Sequence, residues 1–328
     1  MTGGRGRKPP SVSPSPRPPV PPYGPHVALL AVQVIFGTWP VMGKIALRVV
    51  PSAGLVAIRV GGAAVAFLLL LGLRGRLVMP ERRDLARLAL YSLLGVVLNQ
   101  FLYIKGLSLS TAVNAALINA TIPVFTLLVG ALLGKDGLTP RVTLGTLVAA
   151  AGVVYLIDPL RASLGGDTMR GNLLLVANTL CYGAYLAVSQ DVFRRYGALT
   201  AMTLLFAVGS LAAVPFGGYH LARTDFAAVG LLIWLVLVYT LLVQTVGAYY
   251  LNAWALERVS PSTVAVYIYL QPLFAFVVAP LLLGAGERPG LRHAVATLLI
   301  FAGVGVVTLG RRGGFEEEVS EHPDALAH

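Results

Sequence analysis

Charge is what this chain has least of. Only 12% of its 328 residues are Asp, Glu, Lys or Arg, about half the share of a soluble protein of this size, which sets soluble-enzyme readings far behind. Cysteine is nearly absent: Cys181 stands alone, excluding an intrachain disulfide and any Cys-rich metal site. His26, His220 and His293 are scattered singly with no acidic or histidine partners near them in the sequence, so neither a metal site nor a general acid–base pair is indicated. No G-x-x-x-x-G-K-[ST] phosphate loop occurs, and the nearest string, Gly130 to Lys135, has the wrong spacing. Primary ATP-driven transport is therefore excluded for this chain alone. No motif implies a cofactor.

What remains is apolar: 56% of residues, with a mean hydropathy of +0.78. Charge-free runs follow one another along the chain, and a helix needs ~20 mostly apolar residues to span a bilayer. Ten spans are expected, near 27–47, 53–73, 86–106, 109–132, 141–158, 171–190, 198–219, 227–252, 261–283 and 292–310. Connectors are then too short for a soluble domain. Residues 1–25 hold nine prolines, four basic residues and no acid, the composition of a disordered basic tail. Residues 311–328 carry Glu316, Glu317, Glu318, Glu321 and Asp324 and read as an acidic solvated tail.

Net charge is +11. A nucleic-acid partner is not indicated, because the basic residues punctuate apolar runs instead of clustering on a polar surface. They are a topology code. With the basic tail inside, sixteen Lys and Arg fall on the cytoplasmic side and seven on the other, with Lys44 and Arg59 within spans. Both termini are thus expected in the cytoplasm, in a multi-pass protein of the cell membrane.

Displacing the chain by 146–151 residues aligns its halves. Gly37-x-Trp39 meets Gly183-x-Tyr185, Gly62 meets Gly209, Pro123 meets Pro272, Gly134 meets Gly284, and Ala151-Gly152-Val153 meets Ala302-Gly303-Val304. Five spans per half is an odd number, so the second half (171–310) enters the membrane from the side opposite to the first (27–158). The expected fold class is an all-α polytopic membrane protein, ten transmembrane helices as two inverted five-helix repeats, an architecture that places substrate near the midplane between the halves.

The two-times-five plan resembles the drug/metabolite transporter superfamily, in particular its EamA-type members. The resemblance is carried by "GTWPVMGKIALRVVPSAGLVAIR", "GLSLSTAVNAALINATIPVFTLLVGALLG" and "ALERVSPSTVAVYIYLQPLFAFVVAPLLLG". It implies a bundle in which spans one, three, four, six, eight and nine are the inner helices. It also implies movement of small metabolites, often amino acids or related compounds outward, by alternating access. Two departures stand out: Gln271 where the family often has Glu before the proline of span nine, and Lys135 where an acid often follows the glycine at the end of span four.

Polar side chains are expensive against lipid and mark a bundle interior or a water-filled cavity. Stripes of them give the candidate substrate-binding set: Trp39 in span one, Gln100 and Tyr103 in span three, Asn114 and Asn119 in span four, Asn178, Tyr182 and Tyr185 in span six, Tyr249 and Asn252 in span eight, and Tyr267 and Gln271 in span nine. Gln33 joins Trp39 in span one. Each has a plainer reading as an interhelical bridge or an interface anchor. Pro40, Pro123 and Pro272 each free a carbonyl one turn earlier and are expected to kink their helices. Lys44 and Arg59, near span ends with no acid to neutralise them, read as interface anchors first and substrate-attracting charges second. Without an acid inside any span there is no evident proton relay, which makes uniport or exchange the more natural mechanism. An intramembrane enzyme, a channel and a non-transporting scaffold remain as alternatives. The expected partners are the bilayer and a small solute, and nothing bears on oligomeric state.

Overall fold

The computed structural model describes residues 23–74, 79–134, 140–158, 166–226, 229–303, 305 and 306. The Pro-rich tail up to residue 22 and the acidic tail lie outside the described residues. Among the described residues there is no β-strand. The helices are α1 (Gly24–Ala46), α2 (Ser52–Arg74), α3 (Arg82–Leu109), α4 (Ala112–Leu132), α5 (Pro140–Ile157), α6 (Asp167–Tyr196), α7 (Ala198–Leu221), α8 (Leu231–Leu256), α9 (Pro261–Leu283) and α10 (residues 291–303). All but α5 and α10 are long and apolar enough to cross a membrane. α1 begins inside the stretch read as tail, at Gly24, because Pro25 fits a first helical turn, where its missing N–H is no loss.

The outward faces are leucine-rich. Leu69, Leu73, Leu211, Leu231, Leu235 and Leu281 are all largely exposed, an apolar exterior suited to lipid. Together with the helix lengths, this makes the chain a multi-pass membrane protein.

Local chemistry sets the helix boundaries. The Thr111 hydroxyl accepts from the Asn114 N–H at the start of α4, and the Ser260 hydroxyl does the same for Thr263 at the start of α9. The two helices end at Gly134 and Gly284, both at positive φ (69° and 96°), a backbone region open to glycine.

Interruptions recur at the same positions in both halves. α3 contains a π-turn at Leu93–Leu98 and α8 one at Leu242–Gly247, 149 residues on. α4 breaks after Asn119 and restarts at Ile122 with Pro123 in its first turn; α9 tightens into a 3₁₀ stretch at Tyr267–Leu270 and resumes at Gln271 with Pro272. α1 instead runs unbroken through Pro40.

Packing is also exchangeable between halves. α1 lies against α8 and α9 as α6 lies against α3 and α4, while α2 packs along α7. α2 and α7 are antiparallel: Ala53 meets Gly217 at one end and Phe67 meets Phe206 at the other. Gly217 makes this possible, since a Cβ there would stand 2.3 Å from the Ala53 carbonyl oxygen. α5 and α10 cross on Gly152 and Gly303, each of which admits the other helix.

Candidate functional site

α1, α2, α3, α4, α6, α8 and α9 together enclose a central cavity. It is lined by Gln33, Phe36 and Trp39 of α1; Arg59 of α2; Asn99, Gln100 and Tyr103 of α3; Asn119 and Ile122 at the break in α4; Asn178 and Tyr182 of α6; Tyr249 and Asn252 of α8; and Val264, Ile268 and Gln271 of α9. Its free space leaves about 50 Å³ for the centres of water molecules, room for a few waters.

Amides and hydroxyls hold the wall together. The Gln100 side chain donates to the Tyr249 hydroxyl at 2.8 Å, which donates to Asn99 Oδ1 at 2.9 Å. Asn178 Nδ2 donates to the Asn99 carbonyl at 2.8 Å, tying α6 to α3 just past the π-turn. Gln271 Nε2 donates to Gln33 Oε1 at 2.8 Å, joining α9 to α1, and Asn252 Nδ2 donates to the Tyr182 hydroxyl at 3.3 Å. Gln100 and Tyr249 stand 149 residues apart, so they are each other's counterparts in the two halves.

Of the twelve residues singled out from sequence, nine lie in this lining: Trp39, Gln100, Tyr103, Asn119, Asn178, Tyr182, Tyr249, Asn252 and Gln271. Three lie elsewhere. Asn114 sits in the first turn of α4, beside Asn172 and His293. The Tyr185 ring packs over Gly95 of the α3 π-turn and edge-on to Phe193, with its centroid 5.5 Å from that of Tyr182. Tyr267 meets His26 at 2.8 Å.

Arg59 requires a correction. It does not reach a membrane surface: it is 1% exposed, with its guanidinium carbon 3.5 Å from the Trp39 ring centroid and its Nε donating to Thr245 Oγ1 at 2.8 Å. The Thr245 hydroxyl is fixed in turn by donating to the Thr240 carbonyl across the α8 π-turn at 2.7 Å. Trp39 likewise belongs to the cavity wall, stacked on Tyr103 with centroids 6.0 Å apart. Sequence reasoning also passed over Phe36, Asn99, Ile122, Val264 and Ile268. Asn99 adjoins Gln100 and works twice, its side-chain Oδ1 accepting from Tyr249 and its backbone carbonyl from Asn178, and the second role leaves no mark in the residue pattern.

The charged loops gather at two ends. At one, Arg195 pairs with Glu81 and with Asp84 (2.9 Å), and Arg87 with Asp191 (3.5 Å), clasping the start of α3 to the end of α6. At the other, Arg292 pairs with Asp158 at 2.5 Å, and buried Glu287 accepts from the N–H groups of Ala112 and Val113. Among the described residues no cluster of three or more His, Cys, Asp or Glu could hold a metal ion.

Comparison with known proteins fits this geometry. The EamA-like transporter family model matches residues 25–157 and again 169–309. An uncharacterized transporter of Archaeoglobus fulgidus is 27% identical over 240 residues, 71% of this chain and 79% of its own length. The uncharacterized transporter YetK of Bacillus subtilis is 22% identical over 292 residues, 88% of each chain. A WAT1-related protein of Arabidopsis thaliana is 27% identical over 254 residues, 68% of this chain and 67% of its own. A solved crystal structure superposes with a TM-score of 0.62 at 20% identity, covering 87% of this chain and 97% of that one, a likeness of fold. The family and the first two of these relatives are named as transporters. With both of its halves matched and the two halves sharing one polar cavity, the chain belongs to the EamA-like transporter family.

Proposed function

We propose that the protein is a secondary transporter that moves small metabolites, amino acids or related amphipathic compounds, outward across the cytoplasmic membrane. It does so by alternating access between two inverted repeats, residues 27–158 and 171–310, with ten crossings and both termini in the cytoplasm. The observation that carries this reading is the contact between Gln100 and Tyr249, counterparts meeting at the cavity wall. The antiparallel run of α2 along α7 supports inversion, because counterpart helices related by an axis in the membrane plane point in opposite directions. The nine lining residues named above are the proposed contacts for solute. Asn114, Tyr185 and Tyr267 would act one layer behind them.

Comparing the metabolites of cells lacking and overproducing the protein identifies candidate solutes, and purified protein in liposomes then measures their flux. Gln271→Ala removes the bond to Gln33 at the wall and is expected to lower flux about tenfold, the worth of a lost buried hydrogen bond. Tyr267→Phe, outside the wall, is expected to stay near wild type. Equal flux in all three, with folding intact, refutes the assignment of this cavity.

A further inference from the structure

Arg59 is a buried cation with unfinished bonding. Its Nε is used by Thr245, a neutral acceptor, and its ring contact with Trp39 is a cation–π interaction. Its Nη1 has no hydrogen-bond partner among the described residues. Nor is there an acid to neutralise it: α1, α2, α7, α8 and the Asn99–Leu109 half of α3, the helices around it, contain no Asp or Glu. Taking a lone charge out of water costs several kcal/mol unless an opposite charge meets it. The Tyr103 hydroxyl on the same wall is also buried without a partner. Two unsatisfied donors, one carrying the charge, therefore face one cavity.

The fold does not need the cation. In the register that sets Gly62 on Gly209, the counterpart of Arg59 is Phe206, fully buried and apolar, and the counterpart of Thr245 is Val96. The same place in the second half is filled by an aromatic ring. The arginine is thus an addition to one half of a repeated frame, aimed where the halves meet.

We propose that Arg59, with the Tyr103 hydroxyl beside it, holds the carboxylate of the transported solute, so that the cavity takes small monocarboxylates in preference to their neutral amides. One cation among the lining residues matches one negative charge; a dianionic phosphate would remain half uncompensated. The proposal rests on the cavity being the transport site.

Trp39 is the built-in reporter, since the guanidinium lies against its ring. In the full chain carrying Trp234→Phe and Trp254→Phe it is the sole tryptophan. Its fluorescence is titrated, in chloride-free buffer, with propionate and phenylacetate, with propionamide and phenylacetamide, and with chloride. Each acid is expected to bind roughly ten- to hundred-fold more tightly than its amide, the worth of a hydrogen bond to a buried charge. Arg59→Gln is expected to erase that preference and Arg59→Lys to keep part of it.

Equal affinity for acid and amide, or no response to either acid, overturns the proposal. So does saturation by chloride as readily as by propionate, which marks a resident inorganic anion. Because the acid–amide comparison is made with Arg59 in place, it decides the matter even if Arg59→Gln fails to fold. Liposome flux separates the two readings. Acid preference without flux removes the transport reading and leaves the carboxylate site, whereas flux without acid preference does the reverse.

Discussion

Gly217→Ala and Gly218→Ala change neighbouring residues of α7 by the same methyl group into opposite surroundings. At Gly217 the new carbon would stand 2.3 Å from the Ala53 carbonyl oxygen and 2.5 Å from Ala57 Cβ, where ordinary contact begins at 3.4 Å. The oxygen belongs to the α2 backbone and cannot rotate away, so the helices must separate by about 1 Å. At Gly218 nothing lies within 4 Å. Both substitutions gain the same helix propensity, about 1 kcal/mol. That gain cancels in the difference between the variants, which isolates overpacking at about 1–3 kcal/mol. Unfolding in detergent, followed by heat or denaturant, should place Gly217→Ala below Gly218→Ala by that amount. A second readout is available because Arg59 lies two residues beyond Ala57 on the displaced helix. Its reach into the cavity should suffer in the first variant alone, since misplacement by about 1 Å is costly in a positioned site. Equal stability and equal solute binding in both variants would refute the close antiparallel contact of α2 with α7.

Glu287→Gln keeps the shape of the side chain that caps α4 but removes its charge and one of the two oxygens accepting from Ala112 and Val113. The loss should be about 1–2 kcal/mol, from a cap and a favourable helix-end charge, and thermal unfolding without any loss of stability would contradict it. Asp84 is almost fully buried between Arg195 and the Tyr196 hydroxyl. Because Arg195 is more than a third exposed, screening limits the pair, and Asp84→Asn should cost only about 1–2 kcal/mol. That loss should appear as faster hydrogen exchange at the start of α3 and the end of α6. Unchanged exchange there would mean that the clasp does not hold the two ends together.

Apolar run length located the eight long helices, and the order of prolines and glycines set the register later met in the paired π-turns. Side-chain direction was harder to read. Placing Tyr267 and Gln271 on one face of span nine assumes α-helical turning throughout, yet Tyr267–Leu270 is 3₁₀. Each residue there turns about 120° in place of 100°, so four of them rotate the stripe by roughly 80° and part Tyr267 from Gln271. Arg59 misled for a different reason. A cation six residues into an apolar helix is compatible with snorkelling, and its actual partners, Trp39 and Thr245, lie on other helices 20 and 186 residues away. Asn114 occupies the third position after a capping hydroxyl, as Thr263 does in α9, a role at helix starts that polarity alone does not distinguish from a place in the cavity.

The paired interruptions and the unpaired arginine divide the labour between the two halves. A helix resists bending through its i→i−4 bonds, and it bends most cheaply where those bonds are already replaced or lost. Here that holds at the π-turns of α3 and α8 and at the breaks of α4 and α9, two per half and in register. In the alternating access proposed above, motion distributed over such points is symmetric and gives neither half a different solute contact. Selectivity must therefore come from positions where the counterparts differ. Arg59 against Phe206 and Thr245 against Val96 are such positions, and the first pair sets a charge against an aromatic ring packed on Tyr249. A solute with one anionic end would meet the arginine, while its counterpart ring stays packed behind the cavity wall on Tyr249.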